Sequence, residues 1–148
     1  MRNRAHLPAR SWTYELSSHA NDAEMRRASD WLDATCRAKH VPNEQAERLL
    51  LCLSEVLTNV IQHGGTTQPI ALCLEVSIDR REASVTVSDA SRAFDPLSMP
   101  RRTKPQSLAE ASTNGMGLQI VRRCSDILHY RHEGGRNHLT FGMRWKAQ

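Results

Sequence analysis

No stretch of this 148-residue sequence approaches the roughly 18 consecutive apolar residues of a membrane-spanning helix. The opening MRNRAHLPARSWTYEL carries arginines without the apolar centre of a secretory signal, so a cytoplasmic protein with no membrane partner is expected. The four cysteines, Cys36, Cys52, Cys73 and Cys124, are scattered, with no C-x-x-C pair and no histidine at zinc-ligand spacing. A structural zinc site is not expected, and free thiols are the default reading. The seven histidines form no ligand set, and His129 and His132, flanking an expected strand, read as surface residues. There is no internal repeat.

Two phosphate-binding patterns are also missing. The P-loop, G-x-x-x-x-G-K-[ST], does not occur, and the dinucleotide fingerprint G-x-G-x-x-G fails because Ile120 stands where its third glycine belongs. No helix-turn-helix, zinc finger or aromatic-basic strand signature points to nucleic acid. Yet the formal charge is +4, and residues 101–148 hold nine Lys or Arg against three Asp or Glu, an excess of +6. An anionic partner is expected near the C-terminal third, and charge alone does not choose among phosphate groups, nucleic acid and an acidic protein.

With 39% hydrophobic and 24% charged residues, the chain suits one globular domain over 1–148, with residues 1–10 as a flexible N-terminus. SWTYELS alternates as a first strand, and Asn21 or Asp22 can cap a long amphipathic helix that ends at His40-Val41-Pro42. Asn43 can cap the next. There, Leu49, Leu50, Leu53, Val56, Leu57, Val60 and Ile61 recur at spacings of three and four until Gly64-Gly65 stops the helix. PIALCLEVSID and EASVTVSD read as a hairpin turned at two arginines.

Residues 91–114 contain three prolines and a basic cluster without an apolar period, which makes a long loop of the kind that is usually functional. GLQIVRRCSDIL then reads as a helix, and a closing hairpin turns at Gly134-Gly135. The order β-α-α-β-β-loop-α-β-β implies an α+β fold, a two-layer sandwich with helices on one face of a mixed, mostly antiparallel sheet.

Three groups of residues stand out chemically. Glu55, Asn59 and His63 are four apart on one helix, so they form a single stripe drifting by about 40° per step. By itself the stripe reads equally as a solvated face. Asp89 ends an apolar strand, where an aspartate forms turns or, if buried, accepts from an exocyclic amine. Gly115-Met116-Gly117 opens a helix, although glycine in a helix costs about 1 kcal/mol relative to alanine. Glycines here let backbone N–H groups turn toward an anion at the positive end of the helix dipole. A loose, flexible helix entry explains them as well.

Taken in order, E-x-x-x-N-x-x-x-H on a helix, a strand ending in Asp, a long loop and G-x-G-L-x-I-V resemble the ATPase fold shared by DNA gyrase, histidine kinases and mismatch-repair proteins. Within that superfamily the chain is most similar to the bacterial anti-sigma factor serine/threonine kinases. The resemblance implies that Asn59 binds Mg²⁺, that Glu55 is the general base toward a protein serine or threonine, and that His63 borders the phosphates. It implies that Asp89 accepts the adenine amino group. Residues 98–114 would form a lid over ATP, with Thr113 and Asn114 at its end, and the amides of Gly115, Met116, Gly117 and Leu118 would hold the phosphates. Arg101, Arg102 and Lys104 would lie on the lid, either near phosphate or solvated.

Two positions depart from the family pattern. Ser91 replaces the usual glycine two residues after the adenine aspartate, where its side chain either narrows the pocket or bonds through water. The threonine that supports the adenine contact in the last hairpin has Asn137 as its nearest match, with Thr140 three residues on.

The implied function is an ATP- and Mg²⁺-dependent kinase that phosphorylates a small STAS-type antagonist and binds a sigma factor or another regulator, with a homodimer allowed. The alternative within the same fold is a regulatory module that binds nucleotide weakly or not at all and acts by sequestration. A direct nucleic-acid partner is not expected.

Overall fold

The computed structural model describes residues 10–63, 68–90 and 116–147, with the side chains of His63, Met116 and Gly117 outside that description. Strands β1 (Arg10–Ser17), β2 (Ala71–Ile78), β3 (Glu82–Asp89), β4 (Ile127–Glu133) and β5 (Arg136–Arg144) form one sheet in the order β1-β2-β3-β5-β4. All four pairs are antiparallel. Helices α1 (Asp22–Ala38), α2 (Asn43–His63) and α3 (Met116–Cys124) complete the described elements.

Strand alternation sends every second side chain to one face, and the register aligns these into rows. One row is Trp12, Val76, Val85, Phe141 and Leu128, and the next is Tyr14, Leu74, Val87, Leu139 and Tyr130. Onto this face α1 brings Ala28, Leu32 and Cys36, α2 brings Leu49, Cys52, Leu53, Val56 and Leu57, and α3 brings Val121. Each fully buried leucine stabilises by about 1.5–3 kcal/mol, so α2, with three of them, is the main anchor of the helical layer. Leu50, Val60 and Ile61, on the same expected stripe, are only partly buried and pack at its margin. The opposite face is polar, with the row Thr13, Glu75, Thr86, Thr140 and His129 crossing its middle, as an antiparallel sheet open on one side permits.

Local chemistry sets the boundaries. Asn21 caps α1, its Oδ1 accepting from the Glu24 N–H at 2.9 Å. At the other end His40 takes φ 61°, and the N–H groups of His40 and Val41 bond to the carbonyls of Arg37 and Cys36. That is a left-handed helix stop of the Schellman type, with His40 where glycine is usual. Pro42, rather than Asn43, precedes α2: its carbonyl accepts from Ala46 N–H at 2.9 Å, and Asn43 is already the first helical residue. Gly64-Gly65, the expected stop of α2, lie outside the described residues.

The β2–β3 turn is held by Asp79, whose Oδ1 accepts from the N–H groups of Arg81 and Glu82. The closing hairpin turns where expected, with Gly134 at φ 62° and Gly135 at φ 73° supplying the two positive values that a tight type I′ turn requires. Helix α3 stops at Cys124, four residues earlier than its apolar spacing suggests, and Ile127 and Leu128 instead begin β4. The Asp126 N–H bonds to the Gly142 carbonyl and pulls the chain into the sheet. His129 and His132 thus lie within β4, both exposed.

Candidate functional site

A third row on the helical face breaks the apolar pattern. It begins with Leu16 and Leu72 and continues as Asp89, Asn137 and His132. Asp89 and Asn137 are each only 7% exposed. Burying a carboxylate and a carboxamide is costly unless they are hydrogen-bonded, and here they bond to each other: Asn137 Nδ2 donates to Asp89 Oδ1 at 3.1 Å. The Tyr130 hydroxyl in turn donates to Asn137 Oδ1. Among the described residues no buried side-chain nitrogen or oxygen lacks a partner. The aspartate that ends β3 is therefore a buried acceptor on the core side rather than an exposed turn-former.

Of the two candidates on the last strand, the structure joins only Asn137 to Asp89. Thr140 projects from the opposite face and shares a hydrogen bond of 2.8 Å with Thr86, its register partner.

Helix α2 lies over β3 and β5, the strands that carry this pair, and packs along α3. Glu55 and Asn59 are both half-buried on it, one turn apart. His63 is its last residue. Just past the end of α3, Ser125 Oγ lies 3.7 Å from Cys52 Sγ of α2. Burial pushes the Cys52 thiol up to about 11; the Ser125 bond opposes the rise, and the nearby Cys124 and Glu55 add to it.

Helix α3 begins at Met116, with Gly117 second, as the glycine pattern suggests. The first N–H groups of a helix, here those of Met116, Gly117 and Leu118, have no intrahelical acceptor and carry the positive end of its dipole. Leu118 and Val121 are both buried, and Val121 joins the core and holds the helix against it. Ser91, Thr113, Asn114, Gly115 and the expected lid 98–114, with Arg101, Arg102 and Lys104, lie outside the described residues.

No group of three or more His, Cys, Asp or Glu among the described residues is arranged to hold a metal ion. The half-buried Asn59 offers instead a single neutral carboxamide oxygen, which suits Mg²⁺, an ion commonly held by one or two protein oxygens together with substrate phosphates. No helix among the described residues is long and apolar enough to cross a membrane.

Tyr130 is the residue that motif reading overlooks. A two-residue turn at Gly134-Gly135 pairs Glu133 with Arg136 and so makes Tyr130 the diagonal neighbour of Asn137; counting back from the turn finds it.

Comparison with known proteins gives three findings. A family model described as histidine kinase-like ATPase domain matches residues 18–143. The serine/threonine-protein kinase BtrW of Bordetella bronchiseptica is 31% identical over 135 residues, which are 90% of this chain and 94% of that protein. The crystal structure of the RsbU and RsbW domains of a Mycobacterium tuberculosis protein is similar with a TM-score of 0.60 and 14% identity, over 95% of this chain and 34% of that one. That last likeness is one of fold, and this chain spans about a third of that longer protein.

Proposed function

The chain belongs to the histidine kinase-like ATPase family, with a serine/threonine-protein kinase of the anti-sigma-factor type among its relatives, and from that premise we propose that it is an ATP- and Mg²⁺-dependent protein serine/threonine kinase. The observation that carries the reading is the buried Asp89–Asn137 pair, set into a largely apolar face beneath the helix that bears Glu55 and Asn59.

Asp89 accepts the exocyclic amine of adenine; guanine presents a carbonyl at that position and is disfavoured. The backbone amides of Gly115, Met116, Gly117 and Leu118 bind the phosphates at the start of α3, with Thr113 and Asn114 beside them and residues 98–114 as the lid. Asn59 is the protein ligand of Mg²⁺, and His63 lies toward the phosphates. Bound Mg²⁺ supplies charge neutralisation on the phosphate oxygens. Glu55 takes the proton of an acceptor serine or threonine hydroxyl as that oxygen bonds to the terminal phosphorus and the bond from phosphorus to the bridging oxygen breaks.

The acceptor is a small STAS-type antagonist, and the kinase also binds a sigma factor or another regulator in the cytoplasm, alone or as a homodimer. A phosphate dianion on the antagonist repels acidic neighbours and must be desolvated at an interface, so phosphorylation ends that contact.

Incubation with labelled ATP, Mg²⁺ and the antagonist is expected to transfer label. Glu55→Ala should lose transfer by roughly 10²–10⁴-fold while still binding ATP. Full transfer by Glu55→Ala would remove the catalytic role from that residue. Ser91 favours a second reading, a module that acts by sequestration with little nucleotide bound. Calorimetry with ATP and Mg²⁺ separates the two, because the kinase requires binding and the module does not.

A further inference from the structure

We propose that Tyr130 is a positioning residue for base recognition, acting through Asn137 on Asp89. This rests on the reading of Asp89 as the adenine acceptor. A carboxamide has a donor edge and an acceptor edge that are nearly identical in shape, so asparagine alone does not dictate which of them faces a neighbour. Beside the accepting Oδ1 of Asp89 the donor edge must face it, since two acceptors repel. The Tyr130 hydroxyl makes that choice by donating to Asn137 Oδ1, which leaves Nδ2 aimed at Asp89 Oδ1 at 3.1 Å.

The chain of contacts crosses three adjacent strands, β4, β5 and β3, and each is pinned by its register: Asn137 opposite Asp89, and Tyr130 diagonal to Asn137. Holding one carboxylate oxygen restrains the rotation of the carboxylate, and hence the direction from which Asp89 can accept an amine. Removing only the hydroxyl withdraws the donor that sets the carboxamide's orientation and weakens the restraint on that direction. The ring itself packs against the core and would be kept by phenylalanine.

The test compares wild type, Tyr130→Phe and Asp89→Asn, each titrated calorimetrically with Mg²⁺ and either ATP or purine riboside triphosphate, which lacks the exocyclic amine. Wild type should prefer ATP. Tyr130→Phe should lose about fivefold in ATP affinity, the scale of one hydrogen bond, while its affinity for the purine riboside nucleotide stays unchanged. In turnover the same variant should raise KM for ATP and leave kcat in place.

Equal loss on both nucleotides would make Tyr130 a structural residue and overturn the proposal, as would an unchanged ATP preference. If Asp89→Asn loses the preference while Tyr130→Phe keeps it, only the role of Tyr130 falls. If Asp89→Asn keeps it, or wild type binds neither nucleotide, the adenine reading falls and takes this one with it.

Discussion

Asn137 stands directly across the β3–β5 ladder from Asp89 and donates to it from within the helix-facing side of the sheet. Two polar side chains there replace what the neighbouring rows fill with Val87 and Leu139 or with Val85 and Phe141. Their mutual bond offsets the desolvation that burial imposes on both.

Asn137→Ala should therefore destabilise the fold, because it withdraws a donor from a buried carboxylate without removing the charge. The expected cost is about 1–3 kcal/mol, read as a lower urea midpoint at unchanged slope. The double variant Asn137→Ala with Asp89→Ala should recover part of that loss, since no carboxylate is left under-satisfied. A double variant worse than the sum of the two single changes would contradict this account of the pair.

Much of this architecture is legible in residue order. The α2 stripe, the two hairpins and the glycine entry to α3 all follow from periods and turn residues that act locally. What escapes is settled by distant contacts. Ile127 and Leu128 continue the helical spacing of Ile120 and Val121, yet they join β4 because Gly142 and Phe141 on β5 offer them a ladder. Local spacing contains no trace of that competition. Similarly, Thr140 is a chemically reasonable support for Asp89, and only the strand's alternation sends it to the other face with Thr86. Helical spacing alone puts Glu55 and Asn59 on one stripe of α2 without saying what that stripe faces, and it is only through the sheet that α2 comes to pack over β3 and β5, the strands that hold the buried pair.

Gly117→Val tests the phosphate cradle. Gly117 is the second residue of α3, where a β-branched side chain is tolerated by helix geometry but would stand beside the amides proposed to bind phosphate. Nucleotide binding should disappear while thermal unfolding stays close to wild type. Unchanged ATP affinity would remove α3 from the site.

Gly142 has a different task. A Cβ built there meets the Ala83 carbonyl oxygen at 2.8 Å, Ser84 Cβ at 3.0 Å and Ile127 Cδ1 at 3.1 Å. The first of these is backbone in the adjacent strand and cannot step aside without bending β3. Gly142→Ala should cost about 1–3 kcal/mol, as overpacking does, and should lower the midpoint of thermal unfolding. Gly142→Ala combined with Ile127→Ala should regain little, since Ile127 is the mobile contact and the carbonyl is the fixed one.

Cys36 and Cys52, both fully buried, should make the fold sensitive to alkali. Burial pushes both thiols from 9.0 to about 11, with the Asp33 charge adding to the rise at Cys36 and Ser125 opposing it at Cys52. A value raised on folding means that the native state holds these protons more tightly than the unfolded chain does. Their contribution is thus complete below about pH 9 and is lost as pH rises through about 11. Urea midpoints measured between pH 8 and 10.5 should fall more steeply for wild type than for the double variant Cys36→Ala with Cys52→Ala, whatever the starting stability of each. At pH 8 a thiol reagent should label the half-buried Cys73 and Cys124 well before the buried pair, because reaction at Cys36 or Cys52 requires both opening of the core and loss of the proton. Parallel alkaline slopes in the two proteins would mean that other groups, and not these thiols, set the response.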